Sequence, residues 1–260
     1  MNRVVMALSG GMDSTSLLLR MLAQGGEVTC ISYDYGQKHI IEIDRASANV
    51  DYLLSKGYKV EHIVADLSSA MSLFDSTLTD SERSVPEGHY EEEQMKQTVV
   101  PNRNAIFSSI LYGYALSVSA KENVDVSVTL GVHSGDHAIY PDCRPEFYNE
   151  LMRAFKTGNW GSERVTVNLP YVDGDKESIL RDALISCDSL GLDFDTVFRN
   201  TNTSYSPDES GRSSGKTGAD VERILAFNAI GRKDPVEYVD DWNTVLDHAI
   251  EIERKYEAIL

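Results

Sequence analysis

The stretch Ser9-Gly10-Gly11-Met12-Asp13-Ser14 constrains the fold of this chain more than any other. An apolar run, Val4-Val5-Met6-Ala7-Leu8, precedes it, and Thr15-Ser16-Leu17-Leu18-Leu19-Arg20-Met21-Leu22 follows. The run reads as a buried parallel strand and the second segment as a helix, so the loop lies between them. Two glycines permit a tight turn and leave room for a ligand. Amide groups at a helix start, aided by the helix dipole, favour an anion. Ser9, Ser14 and Thr15 add hydroxyls. A negative Asp13 suits a phosphate site when magnesium bridges it to the phosphates.

This loop matches the S-G-G-x-D-S pattern of the PP-loop, and the segment resembles the N-type ATP pyrophosphatases. The resemblance implies activation of a carboxylate or carbonyl oxygen as its adenylate, with release of pyrophosphate. A chance Ser/Gly turn in a βα unit is the bland alternative, and the position between strand and helix argues against it.

The 260 residues, 42% hydrophobic and 25% charged, suffice for one sizeable α/β domain with an appendage. A net charge of −17 argues against direct binding to nucleic acid, which needs a cationic face. Cys30, Cys143 and Cys187 make no disulfide framework and point to a reducing compartment. With no signal peptide and no membrane-length apolar run, a soluble cytoplasmic enzyme is expected.

Further along, Val28–Tyr33 and Lys59–Val64 read as strands around a helix over Ile40–Ser55. This β-α-β-α-β run predicts a doubly wound parallel sheet with right-handed crossovers, binding ligands beyond the carboxyl ends of its strands. Residues 68–98 are polar and irregular, and a connection of that length is functional or disordered. A buried helix is expected over Ala105–Ala120, a strand over Val124–Val132, a short helix over Phe147–Phe155 and a strand over Arg164–Leu169. Helices over Lys176–Leu190, Asp220–Ala229 and Trp242–Ile259 follow, with a short extended piece at Asn200–Tyr205.

Several side chains stand out as candidates. Arg103, opening its helix, suits a phosphate or carboxylate clamp, or a structural ion pair. Lys176, also at a helix start, reads as a phosphate contact or a surface lysine. His133, Asp136, His137, Tyr140, Asp142 and Arg144 form a loop dense in hydrogen-bonding groups, suited to a polar planar ligand more than to zinc. Cys143 reads either as a nucleophile or as a small buried residue. Gly211-Arg212-Ser213-Ser214-Gly215-Lys216-Thr217 imitates a Walker A loop, but Ser210 stands where a glycine is required and no buried strand precedes it.

Taken together, Ser9–Ser14, Tyr35–His39, Gly88–Tyr90, Val99–Asn104, Gly131–Phe147, Phe155–Asn159 and Val221–Phe227 resemble the QueC family, 7-cyano-7-deazaguanine synthases, nearly end to end. The resemblance implies the HUP or PP-loop ATP pyrophosphatase (adenine nucleotide alpha hydrolase-like) fold over residues 1–198. A small helical part, 199–260, would pack on it. It implies a homodimeric ATP-dependent carbon–nitrogen ligase acting on 7-carboxy-7-deazaguanine: adenylation, amide formation with ammonia, then a second ATP-dependent activation to the nitrile. ATP phosphates and Mg2+ would lie on Ser9, Gly10, Gly11, Asp13, Ser14 and Thr15. Asp13, Arg103, Lys176 and Cys143 would serve the chemistry, and His133, Asp136, His137, Tyr140, Asp142 and Arg144 the deazaguanine.

One departure from the family is sharp. QueC carries four zinc cysteines, and alignment on Val221-Glu222-Arg223 sets Ser204, Ser214, Thr217 and Asp220 at those positions, so no zinc is expected. Two accounts of that loss remain. In one the knuckle is held without metal and ammonia is still the acceptor. In the other this is a divergent QueC-like protein, as in antiphage operons including type IV CBASS, whose adenylate is attacked by a partner-protein amine. The expectation leans to the second. A non-catalytic nucleotide-binding module would instead show a damaged PP-loop, and this one is intact.

Overall fold

The computed structural model describes residues 2–80 and 82–258. Its strands are β1 (Asn2–Ala7), β2 (Gly26–Asp34), β3 (Val60–Asp66), β4 (Val126–Thr129) and β5 (Val165–Asn168). Between and after them run α1 (Met12–Ala23), α2 (Ile41–Ser55), α3 (Ser68–Met71), α4 (Arg103–Glu122) and α5 (Pro145–Gly158). The remaining helices are α6 (Lys176–Leu190), α7 (Phe194–Arg199), α8 (Gly218–Ala229) and α9 (Trp242–Glu257). Ile259, expected at the end of the last helix, lies outside the described residues.

The strands form one parallel sheet in the order β3-β2-β1-β4-β5. Successive side chains of a strand face opposite ways. Accordingly Val4 and Met6 enter one core while Val5 enters the other, and Val28 and Cys30 part from Ile31 and Tyr33 in the same way. Both faces are therefore covered, as a parallel sheet requires. Leu17, Val50 and Ile179, from α1, α2 and α6, close the first face; Leu111, Tyr112 and Ala115 of α4 close the second. Strand order reverses between β1 and β4, so the connections leaving β1 and β4 diverge and open a crevice above their carboxyl ends.

The strand expected over Val124–Val132 is shorter, ending at Thr129. Its pairing ends there: Thr129 pairs with Met6 of β1 and with Asn168, the last residue of β5. The next residues pass close under the β1–α1 loop, where a Cβ on Gly131 would stand 3.2 Å from the Asp13 carbonyl carbon. The long connection over 68–98 is ordered in its described part, with Leu78, Tyr90 and Met95 in the second core. The segment Asn200–Tyr205 joins no strand. Val221, Ile224, Tyr238, Val245 and Ala249 make a small third core, while Ala226 and Phe227 of α8 join the first. Among the described residues no helix is long and apolar enough to cross a membrane.

Candidate active site

The loop between β1 and α1 stands at the strand-order reversal. Gly10 takes φ +85, and a Cβ there would lie 1.9 Å from the Glu42 carbonyl oxygen, so loop and α2 meet at a distance only glycine allows. Gly11 is the N-cap of α1 and supplies no side-chain cap. The first amides of the helix are thus not covered by a capping side chain. Ser9 and Ser14 brace the turn: their Oγ atoms are 2.9 Å apart, and the Ser9 amide donates to Ser14 Oγ at 3.2 Å. Behind the loop, the Asn202 amide donates to the Gly10 carbonyl at 2.9 Å. Asp13 Oδ1 and Thr15 Oγ1 are buried and have no hydrogen-bond partner among the described residues. Buried polar atoms left without a protein partner in a crevice are open to a ligand.

Lys176 meets Asp13 from the far side of the crevice. It is the first residue of α6, held there by a capping box: the Ser178 amide donates to Asp175 Oδ1 at 2.7 Å, and the Asp175 amide to Ser178 Oγ at 3.0 Å. Its Nζ lies 3.2 Å from Asp13 Oδ2, 2.9 Å from His133 Nε2 and 3.5 Å from Glu222 Oε2. His133, just beyond β4, accepts the Gly135 amide at Nδ1 at 3.1 Å and is itself buried. Three segments far apart in sequence so converge on one ammonium carried by a fourth. A cation already held beside the loop is placed to neutralise phosphate charge.

Beside the loop opens a cavity of about 210 Å³, walled by Ser9, Asp13 and Ser14 on one side. Tyr33, Tyr35, His39 and Glu42, from the end of β2 and the start of α2, form another wall, and Arg103, Asn104 and Phe107 of α4 a third. Tyr205 and Cys143 complete it. Tyr33 and Phe107 stack at 4.0 Å between ring centres. The Arg103 guanidinium lies 6.0 Å from the Tyr35 ring centre and 5.6 Å from that of Tyr140, within reach of cation–π attraction. Burial pushes the Glu42 carboxyl up to about 8, against the opposing pull of the Gln37 amide and Arg103. Burial, and secondarily Arg103, pushes the His39 imidazole down to about 3. Near neutral pH this wall is therefore aromatic and polar but largely uncharged, which suits a planar heterocycle with hydrogen-bonding edges.

The loop residues expected to hold ATP, together with Asp13, Lys176, Arg103 and Cys143, come together around this crevice. The loop expected to read the deazaguanine is more dispersed. His133 turns to Lys176. Tyr140 is buried, its hydroxyl 2.5 Å from Thr98 Oγ1, and Asp142 Oδ2 accepts the Asn104 amide at 3.3 Å. Arg144 is exposed and donates from Nε to the His137 carbonyl at 2.8 Å. None of His133, His137, Tyr140, Asp142 and Arg144 lines the cavity; the Asp136 side chain lies outside what the structure describes. Cys143 is 4% exposed, with Sγ accepting from Asn104 Nδ2 at 3.3 Å, a packed thiol at the cavity edge. Tyr33, Tyr35, His39, Glu42, Asn104, Phe107 and Tyr205 escape a residue-by-residue reading. The available signal for the first four was position: they lie at or just beyond the carboxyl end of β2, where this architecture binds ligands. The Walker-like Gly211–Thr217 segment follows no strand, and Thr217 caps α8 through a closed capping box with Asp220.

Known proteins resemble this chain over most of its length. The family profile described as "Queuosine biosynthesis protein QueC" matches residues 3–231. A 7-cyano-7-deazaguanine synthase from Alteromonas mediterranea is 43% identical over 90% of this chain and 98% of its own length. The 7-cyano-7-deazaguanine synthase of Caldicellulosiruptor saccharolyticus is 43% identical over 91% of this chain and 95% of its own. Among solved structures, the NMN synthetase from Francisella tularensis aligns over 96% of this chain and 85% of its own at 14% identity and a TM-score of 0.41, a likeness that carries none of the assignment. By the extent of these sequence matches and the intact loop at the sheet's reversal point, the chain belongs to the QueC family.

Proposed function

We propose that this protein is an ATP-dependent carbon–nitrogen ligase that converts 7-carboxy-7-deazaguanine to 7-cyano-7-deazaguanine with ammonia as the nitrogen donor. The observation that carries the reading is identity above two-fifths, end to end, with enzymes named for that product, joined to an undamaged PP-loop. ATP phosphates sit on the open amides at the start of α1, Met12–Ser14, and Lys176 passes from Asp13 toward the reacting phosphate. Asp13 Oδ1, buried and without a protein partner, is the oxygen that fits a magnesium ion entering with ATP. Such an ion, when bound, would draw negative charge from the phosphates.

The substrate carboxylate attacks the α-phosphorus and pyrophosphate leaves; ammonia then attacks the acyl carbon, AMP is displaced and a proton is lost, giving the amide. A second adenylation, on the amide oxygen, allows loss of AMP and formation of the nitrile. The cavity walled by Tyr35, Phe107, Glu42 and Arg103 supports binding of a flat heterocycle beside the loop.

The protein-amine acceptor rested on the missing thiolates. The hydroxyls of Ser204, Ser214 and Thr217 all donate to Asp220, which accounts for the change without a new acceptor, and the relatives are named for the nitrile, a product that ammonia as donor supplies. Pyrophosphate release by the purified protein tests the proposal: it should require ATP and 7-carboxy-7-deazaguanine together. No release with ammonium present, or the same release without the deazaguanine, would refute it.

A further inference from the structure

The four residues at the family's zinc positions are gathered around one atom. Asp220 Oδ2 accepts from Ser204 Oγ at 3.0 Å, Ser214 Oγ at 2.8 Å, Thr217 Oγ1 at 2.8 Å and the Thr217 amide at 3.2 Å. Each hydroxyl also accepts at least one backbone amide. Ser204 Oγ accepts the amides of Ser206 at 3.4 Å and Ser214 at 3.5 Å, Ser214 Oγ that of Lys216 at 3.2 Å, and Thr217 Oγ1 that of Asp220 at 3.3 Å. Ser204 and Asp220 are 0% exposed and Thr217 1%.

Zinc is ill matched to this set. Three of the four side chains are neutral hydroxyls, poor ligands beside thiolate or imidazole, and one carboxylate cannot complete a tetrahedral site. The carboxylate oxygen best placed among them is already occupied by four donors. The other oxygen, Oδ1, is buried without a hydrogen-bond partner among the described residues, but a cation held among all four side chains would have to displace the hydrogen bonds to Oδ2.

We propose that Asp220 is the hub of a metal-free latch that has taken over the task of the zinc knuckle. The polarity is reversed: where thiolates surround a cation, hydroxyl donors here surround an anion. The latch ties three segments that no sheet or helix joins, the chain after α7 (Ser204), the loop before α8 (Ser214) and the first turn of α8 (Thr217 and Asp220). Charge-assisted hydrogen bonds are stronger than neutral ones and are best satisfied in a dry site, so a buried carboxylate can do this without metal. The inference concerns the architecture and does not depend on the substrate.

Its test needs no activity. Elemental analysis of the purified full-length chain should find far less than one zinc per chain, and Tm should be the same with and without a strong chelator. Stoichiometric zinc, or a chelator-induced fall in Tm, would overturn the latch. Asp220→Ala, which strips four donors of their acceptor, should lower Tm by at least several degrees; an unchanged Tm would overturn the hub. The combined variant Ser204→Cys, Ser214→Cys, Thr217→Cys and Asp220→Cys covers the case in which Asp220→Ala does not fold. Expressed with zinc it should bind about one ion per chain and become chelator-sensitive. If it folds without zinc, the claim that the latch stands in the metal's place is wrong.

Discussion

Lys176 shows how much chemistry one side chain can collect. Its ammonium faces Asp13, His133 and Glu222 at once. Replacing it with alanine removes the positive charge beside the PP-loop. Losses on removing one electrostatic stabiliser of a transition state run about 10²–10³ in kcat. Lys176→Ala is expected to slow pyrophosphate release by that order at saturating ATP, and a rate within twofold of the parent would deny it the role. Glu42 makes a different point. Burial pushes its carboxyl up to about 8 from an ordinary 4.5. Between those values the folded chain holds a proton that the unfolded chain has released. The group's favourable contribution is thus full below the unfolded value and is lost as pH rises through about 8. Glu42→Gln should flatten the fall in Tm between pH 5 and pH 8, and a curve parallel to the parent's would contradict the shift. Lys176 was visible in the sequence because it opens a helix after Asp173-Gly174-Asp175. Glu42 was not, because nothing local announces that a charged residue on a helix will be covered.

At the level of elements, the PP-loop depends on how α2 approaches it. A Cβ on Gly10 would stand 1.9 Å from the Glu42 carbonyl, at φ +85. Gly10→Ala combines backbone strain with overpacking and is expected to cost about 2–5 kcal/mol in denaturant melts. A cost under about 1 kcal/mol would mean that the loop and α2 can separate freely. The two glycines were legible as a turn; the helix pressing on one of them was not. Strong local signals served the elements well. The capping box at Asp175 and Ser178 starts α6 at Lys176, where periodicity also puts it. Where tertiary context decides, local pattern fails: β4 stops at Thr129, opposite the last residue of β5, and the chain then passes under the β1–α1 loop, although the apolar residues continue to Val132.

Across the whole molecule, Arg223 of α8 makes a junction between the end of α7, the segment that follows it and the loop before α9. This 1% exposed guanidinium donates to Asp234 Oδ2 at 2.6 Å and Oδ1 at 2.9 Å, to the hydroxyls of Thr201 and Thr203 at 2.9 Å, and to the Phe198 carbonyl at 3.4 Å. Removing one member of a buried pair leaves the other charge uncompensated, at about 3–5 kcal/mol. Asp234→Ala should lose about that much by denaturant unfolding, and a loss below 1 kcal/mol would show that the junction is carried elsewhere. The doubly wound class was legible because alternating βα segments admit few other topologies. The motif around Arg223 was legible as a family mark, but its partners come from separate segments that only the folded chain assembles. The same holds for Ser204, Ser214, Thr217 and Asp220: their difference from cysteine is plain in the sequence, while their convergence on one oxygen is not.

The central claim is that the adenylate made here is consumed by ammonia. Mass spectrometry of the small molecules after incubation with ATP, magnesium, 7-carboxy-7-deazaguanine and ammonium tests it most directly. The account predicts 7-cyano-7-deazaguanine, formed without any partner protein. Deazaguanine recovered only as an adduct on a protein amine, with no nitrile in its presence or absence, would contradict it.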